Sequence, residues 1–162
     1  MQPKTLQFQK DTEIKAINTA FRGATIKALL ENAAQTLAAA CKTSAENLSE
    51  QLALQIEVSQ QCIVENGVAI IPLQLRNTAF DAQTLLVRLT KPLSLDGQDQ
   101  NKFDLACFVI SPQKDGPLHL RRLSRLVRIF QQIDLIEKIR DTDDAETIRA
   151  LIHNPEGWML AA

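Results

Sequence analysis

Chemistry near neutral pH has few side chains to use in this chain. There are two histidines, His119 and His153, and three cysteines, Cys41, Cys62 and Cys107. His119 follows Pro117-Leu118 just after an apolar run, at what reads as a helix start. An imidazole there could hydrogen-bond a phosphate or another anion beside the free N–H groups of a first helical turn. The plainer reading, which the residues alone favour, is a first-turn polar group facing solvent. His153 falls near the end of the last helical pattern, where a histidine can meet the helix C-terminus. The cysteines are odd in number, far apart and set beside apolar residues. They read as small buried residues kept reduced. No Cys or His lies within a few positions of another, so no metal site is expected.

Other routes to catalysis are equally thin. The five glycines form neither GxGxxG nor GxxxxGK[ST], and no GxSxG elbow occurs, so no cofactor is expected. Arg121, Arg125 and Arg128 share one helix face at i, i+4 and i+7, with Arg122 nearby. The plain reading is a solvated face. The sharper one is a docking patch for an acidic partner surface, since no acid follows before Asp134. The whole chain has 18 basic and 19 acidic residues and a net charge of −1, which gives no basis for nucleic-acid binding.

The elements that must position these groups are read from periodicity. The 162 residues suit one domain with a real core. Gly67–Arg76, GVAIIPLQLR, is a short apolar run expected to be a strand buried on both faces. Pro72 cannot donate to a ladder, so pairing is expected to stop there and leave Leu73 just past the strand end. Asn66-Gly67 reads as a hairpin turn that pairs this run with Cys62–Val64. Ile14–Ile17, Thr84–Leu89 (ended by Lys91-Pro92) and Phe103–Ile110 read as further strands.

Helices are expected over Gly23–Cys41 and after a Thr43/Glu46 capping box, with Ala45, Leu48 and Leu52 inward. Others follow Pro117, with Leu120, Leu123, Val127 and Phe130 inward, then around Leu135–Ile139, and after an Asp143/Glu146 cap. The order gives one α/β domain across 1–162, with a core of about 10–153 between a polar N-terminal tail and a short C-terminal one that holds Trp158. MQPKTLQFQKDTE holds no apolar h-region, so it is not expected to be a secretory signal, and no run reaches the roughly 18 residues of a membrane span. The expectation is a cytoplasmic protein without membrane insertion.

In order and spacing these segments resemble the IIA domain of the bacterial phosphotransferase system, in its fructose/mannitol and nitrogen-regulatory branch. Ile70-Ile71-Pro72-Leu73 matches a GIAIPH-type segment. Lys91–Gly97 with Phe103–Ile110 matches a second segment, and His119–Leu126 a third, histidine–leucine helix start. The resemblance covers roughly residues 10–153. It implies a mixed β-sheet flanked by helices on both faces, and a phosphoryl-carrying histidine directly after the proline. Leu73 stands at that position, without a lone pair or a donor. The family's upstream L-x-R-E arginine is also missing from Leu54-Gln55-Ile56-Glu57, and Val68 replaces its glycine, whereas the auxiliary histidine is retained as His119.

The resemblance therefore implies a regulatory or interaction protein of IIA type with no catalytic residue at the usual site. Its pocket would be Leu73, His119, Pro72 and Arg76, its partners proteins, with a homo-oligomer left open. The alternatives are a phosphocarrier using His119 and an unrelated α/β ligand-binding domain.

Overall fold

The computed structural model describes residues 14–58, 61–76, 79–97 and 99–153. The N-terminal stretch before Ile14 and the tail with Trp158 lie outside them. The strands are β1 (Ala16–Phe21), β2 (Ile63–Glu65), β3 (Val68–Leu75), β4 (Gln83–Ser94) and β5 (Lys102–Pro112). The helices are α1 (Ile26–Leu37), α2 (Ala45–Val58), α3 (Pro117–Ile129), α4 (Ile133–Arg140) and α5 (Ala145–His153). The strands form one sheet in the order β1-β4-β5-β3-β2. β3 and β5 run parallel, as do β1 and β4, while β4–β5 and β2–β3 are antiparallel. The fold is thus a single α/β domain with a mixed sheet.

Side-chain alternation along the strands divides the core in two. Ala69, Ile71, Leu73 and Leu75 of β3 pack with Leu29, Leu37, Leu48 and Leu52 of α1 and α2. Val68 and Ile70 pack with Leu126, Ile136 and Ile148 of α3, α4 and α5 on the other face. Both sheet faces are therefore covered, which explains the nearly unbroken apolar character of β3 and β5.

Local chemistry sets the ends of these elements. Thr25 caps α1 by accepting from the Ala28 N–H at 3.1 Å. The helix closes in a Schellman turn: Thr43 N–H donates to Ala38 at 3.1 Å and Lys42 N–H to Ala39 at 3.2 Å, with Lys42 left-handed at φ 53°. The next cap is Ser44, which accepts from Asn47 N–H at 3.0 Å, not Thr43, whose hydroxyl takes the Asn47 amide instead. Likewise Asp144, not Asp143, stands before α5. It accepts from Thr147 Oγ1 at 2.6 Å, and that bond lowers its pKa, assisted by backbone N–H groups of Glu146 and Thr147. Asp143 pairs with Arg88 instead.

The two prolines expected to end strands do not. β3 continues through Pro72, which pairs with Val109, to Leu75 opposite Pro112. The reason lies in the hairpin. Asn66 and Gly67 both have positive φ, at 56° and 77°, and form the two-residue turn whose closing pair, Glu65–Val68, is hydrogen-bonded. Val68, Ile70 and Pro72 then direct their backbone groups toward the β2 side, and β2 pairs only as far as Ile70. The N–H that Pro72 lacks would have met no partner. In β4, Lys91-Pro92 falls within a register shift between Arg88 and Leu93, and the strand resumes afterwards. β1 begins at Ala16, two residues later than expected from Ile14.

Candidate functional site

The carboxyl ends of the parallel strands β3 and β5 lie side by side, the place where α/β folds commonly gather reactive groups. Beyond Pro112, Gln113–Asp115 makes a single 3₁₀ turn, Gly116 turns the chain at φ 52°, and Pro117 opens α3. Proline suits that position because the first helical N–H has no intrahelical partner. Two residues later the helix delivers His119 onto the sheet.

His119 is not a solvent-facing first-turn residue: it is 3% exposed. The helix is turned by about one residue from the expected orientation, so that His119, Leu123, Leu126 and Ile129 are buried and Leu120 is 61% exposed. His119 Nδ1 lies 2.9 Å from Oγ of the fully buried Ser111. Arg122 donates to the same oxygen at 3.0 Å and to Asp115 Oδ2 at 2.7 Å. The four residues form one chain of polar contacts under α3, each buried group meeting a partner as such groups must.

This setting favours the neutral imidazole over the charged one. Burial lowers the pKa of His119, the Arg122 guanidinium lowers it further, and Asp115 pulls weakly the other way. When Nδ1–H donates to Ser111, the Nε2 lone pair is left for a ligand or an electrophile. His119 thus has a lone pair to offer but lies 3% exposed.

The structure separates the other residues of the expected pocket from this network. Leu73, 4% exposed, points to the α1–α2 face. By strand alternation Pro72 shares the opposite face with Val68 and Ile70, toward α3, and is buried. Arg76 is exposed just beyond β3 and is engaged in an interaction. On α3, Arg121 and Arg128 are exposed, Arg125 is half-buried and engaged, and Arg122 turns inward. Ser111 and Asp115 escaped the reading of the sequence, and Arg122 entered it only as a neighbour of the other arginines, not as part of this network. The available signal was Ser111 itself, a hydroxyl at the end of an otherwise apolar strand, eight residues before His119.

The remaining titratable candidates are structural. All three cysteines are free, and burial raises every one of their thiols. Cys107 and Cys41 are pushed up to about 12, Cys41 despite the opposing charge of Lys15, so none is a ready thiolate. His153 Nε2 accepts the Ile14 backbone N–H at 2.9 Å and ties the last helix to the start of the described chain. No helix among the described residues is long and apolar enough to cross a membrane.

The chain is an α/β domain with a five-stranded mixed sheet, helices on both faces and an imidazole near its parallel strand ends. Residues 12–154 match the family described as phosphoenolpyruvate-dependent sugar phosphotransferase system, EIIA 2, and the chain belongs to it. It is 30% identical over 71 residues to a nitrogen regulatory protein of Bradyrhizobium diazoefficiens. That match takes in 44% of this chain and 46% of the relative, so it spans about half the relative's length.

Among solved structures, the nitrogen regulatory protein IIA-Ntr of Neisseria meningitidis superposes with a TM-score of 0.77 at 22% identity, over 91% of this chain and 99% of that one. A putative phosphotransferase IIA domain from Streptococcus pyogenes gives 0.67 at 12% identity, over 96% and 99%. At these identities the likeness concerns the fold.

Proposed function

We infer that this protein is a phosphotransferase-related regulator of the nitrogen-regulatory kind that acts by presenting a surface to protein partners, and that its usual phosphorylation site is vacated. The observation that carries this is the state of two positions within β3. A GIAIPH-type histidine falls at Leu73 when counted from the proline and at Pro72 when counted from Gly67. Neither side chain has a lone pair, and both are buried. The one imidazole at the site, His119, is sequestered by Ser111 and is 3% exposed. What remains for a partner is the outer face of α3, where Leu120, Arg121 and Arg128 are exposed together. An apolar anchor flanked by guanidinium groups suits an acidic protein surface.

The test is incubation with phosphoenolpyruvate and the general phosphotransfer proteins, followed by intact mass. No phosphoryl mass should appear. The competing reading, transfer through His119, draws on its neutral imidazole and free Nε2. An added phosphoryl group that disappears in His119→Ala would establish that reading in place of the first.

A further inference from the structure

A second group of residues meets at the same end of the sheet, away from the His119 network. The connection from β3 to β4 has to pass the end of β5, because β5 lies between those strands. Beside its Ala79–Asp81 portion is an open cleft of about 320 Å³ lined by Ala40, Lys42, Ala79, Phe80, Asp81, Gln83 and Lys114. That volume is within the range of small-molecule sites, and the carboxyl ends of parallel strands are where such sites form. The floor is firm: Phe80 is 5% exposed, and Gln83, 8% exposed, is held by its donation to the Asp81 carbonyl at 2.8 Å.

Two features point to an anionic occupant. Lys42 and Lys114 line the cleft from different elements, the turn that closes α1 and the turn after β5, and among the described residues neither ammonium group has a hydrogen bond or ion pair. Among the described residues on the lining, Asp81 is the only acid. Separately, Lys42 holds φ 53° at the Schellman position that glycine fills without steric cost. A lysine at a left-handed position, on the lining of a cleft, is consistent with a role for its side chain there.

We propose that the cleft formed by Lys42, Lys114, Gln83 and Phe80 binds a small dianionic metabolite, a phosphate monoester or a dicarboxylate, with its charge between the two ammonium groups. The site does not depend on the reading of His119 or Leu73. It does bear on that network physically, since Lys114 adjoins Asp115, which holds Arg122.

The experiment is isothermal titration of the full chain with glycerol phosphate in one arm and succinate in the other. The expected result is saturable one-site binding in at least one arm, which also tells the two sources of charge apart. Affinity should fall about tenfold or more in Lys42→Gly and in Lys114→Gln. Lys42→Gly suits the left-handed backbone better than the native residue, so its melting temperature should not drop, and its weaker binding is then not a loss of fold. Lys91→Gln, an exposed lysine within β4 and off the cleft, should bind as the unaltered protein does. Absence of saturable binding in both arms, affinity unchanged in the two cleft variants, or an equal loss in Lys91→Gln would each overturn the site.

Discussion

Leu73 and His119 sit on opposite faces of the β-sheet. Leu73 packs with α1 and α2, whereas His119, on α3, bonds Ser111, which strand alternation sets on the face of Cys107 and Val109. A family site that pairs a strand-end histidine with a helical one cannot be rebuilt by changing Leu73 alone. Leu73→His should remain unphosphorylated in the phosphoenolpyruvate assay. It should also lose about 1–3 kcal/mol of stability in urea unfolding, because an imidazole would enter an apolar cluster without a partner. Efficient phosphorylation of this variant would show that the strand turns over at Pro72 after all.

The buried imidazole makes stability depend on pH with a definite sign. Its pKa in the folded protein is below the ordinary 6.5. Between those two values the unfolded chain binds more protons than the folded one, so stability rises with pH. The contribution is fully present above 6.5, shrinks as pH falls through 6.5, and levels off below the folded value. Urea midpoints from roughly pH 8 to pH 5 should fall in this way, and His119→Gln should flatten that part of the curve. A profile unaltered by His119→Gln would remove the histidine as its source.

Arg88 acts as a cap for a helix distant in sequence. It donates to the carbonyls of Thr19 at 3.0 Å and of Ile139 and Arg140 at 3.3 Å, and also to Thr142 and Asp143. Its removal leaves carbonyls at the end of α4 without donors. Arg88→Ala should cost about 1–3 kcal/mol, and amide exchange should quicken through α4 and the start of α5. Lysine should restore only part of this, because it lacks the planar fork. Unchanged exchange at Thr142 would separate Arg88 from this role.

Gly67 meets two constraints at once. Its φ of +77° is costly for any residue with a Cβ, and an added Cβ would collide with Arg140 Nη2. Arg140 could move aside, but it holds Asp104 with two bonds of 2.8 Å and donates to the Asn66 carbonyl at 3.1 Å. Gly67→Ala should therefore cost about 1–2 kcal/mol for the backbone alone. Arg140→Ala combined with it should relieve the collision and not the φ strain. A combined variant as stable as the unaltered protein would assign the whole cost to the collision.

What the sequence determined by itself is the set of elements and the chemistry the chain lacks. The Asn66-Gly67 hairpin, the buried runs around Ile70 and Phe108, the proline opening α3 and the shortage of histidines are local facts, and periodicity and turn chemistry act locally. The tertiary structure decided which way side chains face. Pro72 stays within its strand because β2 has already ended beside it, and Leu120 is exposed because α3 docks about one residue round from its apolar pattern. His119 is buried because Ser111, eight residues before it on the neighbouring strand, supplies the partner that offsets its desolvation. Each outcome rests on a neighbour from another element, and one strand's own residues carry no record of where the next strand stops.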